Sequence, residues 1–453
     1  MPIVPRRPRF GRLLDALVVT PLLLVFVGLA VYHHRRLDNH LVDSERAKEL
    51  ANRKFGEQTR AGNDWPQWRG PNRDGVSTET DILRQWPKDG PKVLWQAKLG
   101  DGFASIVVAK GRAFTIFQDG TDESVISWDA ETGKEFWRFS YACEYKNAYG
   151  NGPRSTPSID GEFIYAVGAT GLMHCLKAFT ADPKGEPVWS KDLMKEFSAS
   201  APKWGVAFSP LVEGNRVFIM PGGPNGQSLA ALDKNTGNVL WKKHDDRASY
   251  SSPISAAFHK EPQILFLTGS RLVSVDPQTG EQRWEYPWPI ENETNIATPI
   301  VVDDYVFISS SYGRGCLTLK IEKEGDVWKP LRVRQSTRMR NHFSTCVRYQ
   351  DHLFGFDDST LTCMNFLTGE IGWKERGFDK GSVLLVNDQL IVYGANGVLA
   401  LAEANPASYV QKSRFQFSTS ENSCWSVPVV SNGRLYVRDQ ERLVCFDVKG
   451  PSG

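Results

Sequence analysis

The phrase "DAETGKEFW" at residues 129–137 returns as "DKNTGNVLW" at 233–241, "DPQTGEQRW" at 276–284 and "NFLTGEIGW" at 365–373. In each, a Thr-Gly pair precedes a tryptophan that stands four positions after the glycine. Such repetition restricts the chain to architectures built by copying one supersecondary unit. The closing strands of these units carry Trp95, Trp137, Trp189, Trp241, Trp284, Trp328 and Trp373. Spacings of 43 to 52 residues dominate, which suits propeller blades and is too long for leucine-rich or helical-pair repeats.

Each unit reads as four strands. A Ser or Thr precedes a short apolar strand, as in "STPSIDG" (155–161), "TPIVVDD" (298–304) and "VPVVSNG" (427–433). A turn leads to an aromatic-rich second strand, and a third strand ends at the Thr-Gly turn before the tryptophan strand. The middle of the third strand stays small: Ser127, Cys175, Ala231, Ser274, Thr318, Cys363, Ala400 and Cys445. Small side chains there imply tight packing between neighbouring sheets and give Cys175, Cys363 and Cys445 a structural place. The chain ends on "RLVCFDVKG" (442–450), a third strand with no tryptophan strand after it. It opens its repeats on "PKVLWQAKLG" (91–100), a tryptophan strand with no blade before it. Pairing the two closes a ring and removes an exposed sheet edge. The expected fold is therefore all-β: a single eight-bladed β-propeller of four-stranded blades over residues 91–450, with residues 92–99 completing the last blade.

The 453 residues, 41% hydrophobic and 23% charged, can build a large core, and a net charge of +2 argues against nucleic acid as the partner. The 39 glycines and 26 prolines are spread along the chain, as turns between many short strands require. Seven cysteines without a CxxC or CxxCH spacing argue against a disulfide framework, a haem or a zinc site.

Residues 1–12 are basic, with Arg6, Arg7, Arg9 and Arg12 and no acid. Leu13 to Tyr32 is an apolar run of 20 residues, long enough to cross a bilayer as a transmembrane helix. It exceeds the usual hydrophobic core of a cleaved leader, and an uncleaved single-pass anchor is expected. Basic residues flank the run on both sides, so charge alone leaves its orientation open. Residues 33–63 read as a juxtamembrane spacer, and 64–90, with "DWPQWRGPNRDGVS", as a turn-rich lead-in that straps the propeller's flank.

"SWDAETGKEFW" and "ALDKNTGNVLW" resemble the tryptophan-docking repeat of pyrroloquinoline-quinone-like (PQQ-like) eight-bladed propellers. That superfamily includes quinoprotein alcohol dehydrogenases and the outer-membrane assembly lipoprotein B. The stretches "DWPQWRGPNRDGVS", "GPRSTPSIDG", "WGVAFSPLVEG" and "SYSSP" are similar to a planctomycete-type group of membrane-anchored or secreted proteins of this kind. The resemblance implies a propeller in the periplasm, held by its anchor in the cytoplasmic membrane. It also implies two functions to weigh, a binding scaffold and a quinoprotein dehydrogenase.

In a propeller, ligands sit in the funnel where the first strands begin. Counting back from each first strand places Phe103, Arg154, Trp204, Arg247, Tyr250, Asn295, Arg340, His342, Lys380 and Trp425 around that funnel. Four of these are cations, set against Asp101, Glu293 and Asp379, so the face should be mildly basic and favour a protein or anionic small-molecule partner. The dehydrogenase reading implies PQQ and a calcium ion held by converging oxygens, an Asp base and a vicinal disulfide. The carboxylates here come from separate blades, and no two cysteines are adjacent. The sequence therefore points to a non-catalytic scaffold, with no catalytic residue, no metal ligand and no cofactor expected. PQQ with calcium is the alternative.

Overall fold

The head of each repeated phrase is a carboxylate or amide that ties down its own turn. In a computed structural model that describes residues 63–419 and 424–450, Asp129 Oδ1 accepts from the amides of Glu131 and Thr132 at 3.0 and 2.8 Å. Asp233, Asp276 and Asn365 do the same in their turns. The residues proposed as a membrane anchor and most of the spacer lie outside the described residues. Among the described residues no helix is long and apolar enough to cross a membrane.

Eight antiparallel four-stranded sheets follow one another along the chain. Blade 1 comprises Val107–Ala109, Arg112–Asp119, Asp122–Asp129 and Glu135–Ala142. Blades 2 to 7 open with strands at Ser158, Leu211, Ile254, Ile300, Val347 and Gly381. Blade 8 takes Val429–Ser431, Arg434–Arg438 and Arg442–Asp447 from the end of the chain, and its outer strand, Lys92–Lys98, from before blade 1. The borrowed strand pairs Trp95 with Cys445 and Lys98 with Arg442, which closes the ring as the sequence predicts.

The tryptophans join blade to blade. The small third-strand residue is the cross-strand partner of the tryptophan: Ser127 faces Trp137, Ala231 faces Trp241, and Cys363 faces Trp373. Five of the indoles reach the next blade's turn and donate to a carbonyl there. Trp95 donates to Ala130 at 3.1 Å, Trp137 to Ala178 at 3.0 Å and Trp189 to Lys234 at 3.0 Å. Trp241 donates to Pro277 at 3.1 Å and Trp373 to Asn405 at 2.7 Å. Trp95 lies so close on Gly133 that a Cβ there would come within 2.6 Å of the ring, and Gly280 meets Trp241 equally closely. With φ of +72° at both, glycine satisfies the turn and the indole together.

Two blades depart from this register. In blade 5 the phrase is replaced by a longer hairpin, Gly315–Glu324 with Val327–Ser336. Thr318 there faces Arg334, and Trp328 sits six positions earlier, opposite Lys323. Trp328 is buried among Trp284 and Phe258 of blade 4, so it is structural but is not the docking residue. Arg334 takes that position and lays its guanidinium on Gly369 of blade 6. Trp284, facing a blade without a Thr-Gly turn, donates instead to Gln263 Oε1 in its own blade at 2.8 Å. In blade 7 the register break falls one residue later than the sequence suggests. Leu401, not Ala400, occupies the small-residue position and faces Ser413. Ser413 Oγ bonds the backbone of Trp86, accepting from its N at 2.7 Å and donating to its O at 3.2 Å, so the lead-in fills the gap with its own indole.

The Ser or Thr before each first strand has a matching role. Ser105 N donates to Thr156 Oγ1, Thr156 N to Ser209 Oγ and Ser209 N to Ser252 Oγ, each at 2.9 Å, linking blades 1 to 4 in series. Thr298 N donates to Thr345 Oγ1 at 2.8 Å between blades 5 and 6.

The lead-in does not strap the flank. Residues 64–82 cross the centre of the ring and touch every blade. Trp65 bridges to Val108 in blade 1, Pro66 O accepts from Ile159 N in blade 2, and Trp68 Nε1 donates to Thr298 Oγ1 in blade 5. Arg69 donates to the carbonyls of Thr345 and Cys346 in blade 6 at 3.0 and 2.9 Å. Arg73 reaches Ser158 Oγ in blade 2, the carbonyls of Ser209 and Pro210 in blade 3 and that of Pro253 in blade 4. Val76–Ser77 adds a parallel fifth strand to blade 7, Glu79 accepts from Gly433 N in blade 8, and Ile82 bridges to Lys449 beside it. The innermost strands leave carbonyls facing the axis, and an arginine with five N–H donors can satisfy several at once.

Trp137 is fully buried, and Trp137→Ala should lower unfolding free energy by about 3–5 kcal/mol in urea titrations. Arg73→Met should cost about 2–4 kcal/mol, because the carbonyls of Ser209, Pro210 and Pro253 lose their donor. An unchanged denaturation midpoint for Arg73→Met would show that the lead-in merely rests in the channel.

Candidate functional site

The lead-in stops the channel and turns the funnel into a blind cup of about 640 Å³, with Trp68 in its lining. The first strands start at the cup, so the loops before them supply its wall. Seven of the ten residues expected from the register line it: Phe103, Arg154, Trp204, Tyr250, His342, Lys380 and Trp425. The other three do not reach it. Asn295 is fully buried and spans blades, its amide donating to Thr268 O at 2.7 Å and its carbonyl oxygen accepting from Ser310 Oγ at 2.5 Å. Arg247 points outward and pairs with Glu293 at 3.0 Å. Arg340 is held by Asp357, Nε to Oδ1 at 2.7 Å.

One wall is a column of rings. Phe103 stacks on Trp425 at 4.9 Å, Trp425 on Phe343 at 4.0 Å and Phe343 on His342 at 3.9 Å, with interplanar angles of 28°, 22° and 21°. Tyr312 closes the column edge-on against His342 at 4.9 Å. Both faces of Trp425 and of Phe343 are covered by neighbours, so these rings turn their edges to the cup. The other wall is looser: Trp204 packs on Tyr250 at 5.7 Å and Tyr149 stands edge-on to Trp204.

A cation stands at each end of the column. Arg154 lies 5.5 Å from the Phe103 ring centre and 4.9 Å from that of Tyr145. Its terminal nitrogens donate to Gly152 O and Gly150 O at 2.5 and 2.7 Å, which fixes the guanidinium while burial pushes its pKa down. Lys380 Nζ sits 5.3 Å from the Phe343 centre and donates to His342 Nδ1 at 2.7 Å, with Asp358 at 3.5 Å. Burial, then the neighbouring Lys380 charge, holds His342 down to about 4. At neutral pH the ring is therefore uncharged, accepts from Lys380 at Nδ1 and donates from Nε2 to the Tyr312 hydroxyl at 2.8 Å. Desolvation raises Tyr250 to about 12, so its hydroxyl stays protonated while accepting from Trp204 N.

The register missed several lining residues. Phe343 follows His342 and could have been found by extending each lead-in one residue. Tyr312 lies in the turn between second and third strands of blade 5, and Tyr149 in the loop before blade 2, away from the counted positions. Trp68 comes from the lead-in, and nothing in its local sequence signals that it reaches the axis. Of the three carboxylates considered, Asp379 lines the cup, Asp101 accepts from Asn151 outside it, and Glu293 is paired with Arg247. Among the described residues no three His, Cys, Asp or Glu side chains gather as a metal site would need.

Eight four-stranded blades, five of whose junctions are made by an indole donating to the next blade's turn, closed by a borrowed strand around an axial cup, define a PQQ-like β-propeller. The sequence profile of the family described as outer membrane protein assembly factor BamB matches residues 121–375, and the chain belongs to that family. BamB of Burkholderia pseudomallei (strain K96243) is 23% identical over 389 residues, spanning 82% of this chain and 91% of that protein. A quinoprotein ethanol dehydrogenase of Pseudomonas aeruginosa is 27% identical over 166 residues, which cover 34% of this chain and 25% of the enzyme. The crystal structure of BamB from Moraxella catarrhalis superposes with a TM-score of 0.54 at 17% identity, covering 80% of this chain and 99% of that one. The quinohemoprotein alcohol dehydrogenase from Comamonas testosteroni gives 0.59 at 13% identity, covering 91% and 83%. These two superpositions show a shared fold.

The His342 environment predicts a pH response. The unfolded imidazole takes a proton near pH 6.5, whereas the folded one does not until about 4, so the unfolded state binds more protons between them. This histidine's contribution to stability is complete above pH 6.5 and falls as pH drops toward 4, by at most about 1.4 kcal/mol per pH unit. His342→Gln should remove that part of the slope in denaturant titrations at pH 7 and pH 5. An identical slope in both proteins would mean that the folded imidazole titrates normally.

Proposed function

We propose that this chain is a non-catalytic scaffold that captures a protein partner in and around the axial cup, outside the cytoplasmic membrane. The anchor read at Leu13 to Tyr32 would tether it there, with the propeller in the periplasm. The observation that carries this reading is the blind, rigid cup of ring edges with cations held at both ends. Arg154 and His342 are already bonded to protein groups at hydrogen-bond distance, which suits recognition more than proton transfer. Membership of a family described by an assembly factor supports a protein as the occupant.

A calcium-bound quinone does not fit the donor set. Asp379 is the single carboxylate lining the cup among the described residues, and it shares that lining with two cations. The sequence has no adjacent cysteines. No step is therefore built on that group.

The test is site-specific photocrosslinking in cells of the source organism. A benzoylphenylalanine in place of Tyr312 or Tyr149, which are 55% and 62% exposed at the cup, should yield a discrete protein adduct. The same probe at Val327, exposed on the hairpin of blade 5, should not. Trp425→Ala should abolish the adduct with the circular dichroism spectrum retained. Dye-linked alcohol oxidation by protein supplied with quinone and calcium, lost in Asp379→Ala, would instead make the chain an enzyme.

A further inference from the structure

We infer that the cup receives a short acidic segment of polypeptide, a turn or a chain end, that places carboxylates toward Arg154 and Lys380. This rests on the scaffold reading and adds the chemistry of the occupant.

Three observations meet in it. The first is the way the column is stacked. An aromatic ring is negative on its face and positive at its edge. Phe103, Trp425, Phe343 and His342 spend their faces on one another, Arg154 lies over the Phe103 ring, and Lys380 Nζ stands 5.3 Å from the Phe343 centre. What remains for a ligand is a row of electropositive edges. A sugar or a quaternary ammonium is recognised by open ring faces, and in this wall they are taken. Carboxylate and carbonyl oxygens suit ring edges.

The second is charge. Among the described residues Arg154 and Lys380 line the cup with one carboxylate, Asp379; Asp358, outside the lining, stands 3.5 Å from Lys380 Nζ, and His342 stays neutral beside it. Both cations are fixed before a ligand arrives, Arg154 by two carbonyls and Lys380 by His342 and the Phe343 ring. Binding an anion there orders no long side chain, which keeps the entropic cost of recognition low. An ammonium carries three donors; His342 takes one at 2.7 Å and Asp358 faces the group at 3.5 Å, which leaves a donor for a ligand.

The third is shape. Trp68 lies in the cup's lining, and Arg69 and Arg73 bond the surrounding blades behind it, so nothing can thread the ring. The occupant enters and leaves by one mouth. A volume of 640 Å³ corresponds to about twenty water volumes of 30 Å³, enough for a few residues and not for a folded domain.

The experiment uses the full chain in detergent and three capped pentapeptides of one design, alternating phenylalanine with aspartate, asparagine or lysine, followed by calorimetry. The aspartate peptide should bind at least tenfold tighter than the asparagine peptide, and the lysine peptide weakest. Raising salt from 0.05 to 0.5 M should shrink the preference, since partly exposed charges are screened. Lys380→Gln should reduce the aspartate preference at least threefold, and Arg154→Lys, which keeps the charge, should retain most of it. Equal binding of the aspartate and asparagine peptides would overturn the inference while leaving the scaffold reading intact if the cup crosslinks persist. Binding of none of the peptides by folded protein, or a preference untouched by Lys380→Gln, would also overturn it. So would succinate binding as tightly as the aspartate peptide, which would make the ligand a small anion. Loss of the crosslinks themselves would remove the scaffold reading with it.

Discussion

Everything in this molecule depends on one strand being out of sequence. A four-stranded sheet with apolar faces cannot bury both alone, and eight such sheets do so only as a closed ring. Closure here is the pairing of Lys92–Lys98 with Arg442–Asp447, two segments more than 340 residues apart. Because the lent strand comes from the N-terminal side, the residues just before it are delivered to the ring as well. Residues 64–82 then cross the axis and bond every blade. The closing strand and the plug are one continuous segment.

The plug shows how a charge can sit at the centre of such a ring. Arg69 and Arg73 are 2% and 4% exposed, and burial pushes them down to about 10 and about 9, so both remain protonated at neutral pH. Their partners are almost all carbonyls: Thr345, Cys346 and Asp74 for Arg69, Ser209, Pro210 and Pro253 for Arg73. Those carbonyls exist because the innermost strands of these blades are short and leave backbone groups facing the axis. An apolar plug would leave them unpaired, at about 1–3 kcal/mol for each buried group. A guanidinium answers several with one side chain. The direct contact from Asp74 to Arg69 is through its backbone oxygen, while the carboxylates of Asp74 and Glu213 add attraction to Arg69 and Arg73 that partly offsets the burial.

The fold was legible where physics repeats and illegible where it does not. Trp137, Trp241 and Trp373 recur with a glycine and a small partner because each junction solves the same packing problem. The third-strand cysteines follow from it, and burial raises Cys175, Cys363 and Cys445 to about 12, as inert thiols should be. Trp328 misled because spacing alone cannot distinguish a Thr-Gly turn from the longer hairpin that carries the indole back toward blade 4. Ala400 misled because the register break moved by one residue, and a one-residue slip exchanges the faces of a strand. Trp68 and Trp86 were invisible, for their positions are set by where a long segment runs. The cup was legible in outline for the same reason as the blades, since seven positions follow the repeat. Asn295, Arg247 and Arg340 follow it too, but each found a nearer partner than the axis.

The seam that closes the ring also sets the site. Arg438 of blade 8 is 2% exposed and donates to Gly102 O at 3.0 Å and Ala104 O at 3.1 Å, the carbonyls on either side of Phe103. Gln440 Oε1 accepts from Gly102 N at 3.0 Å, and Ser426 Oγ donates to Phe103 O at 3.2 Å. Four polar contacts are more than a ring that only fills space requires. They hold Phe103 of blade 1 against Trp425 of blade 8, the step at which the column crosses from one end of the chain to the other. The ring column is therefore continuous only in the closed propeller. Opening the seam separates Phe103 from Trp425, uncovers one face of that indole and frees Arg154 from the stack. In this architecture the edge-on, cation-capped wall is a consequence of closure, so the chemistry of the cup and the integrity of the ring rise and fall together.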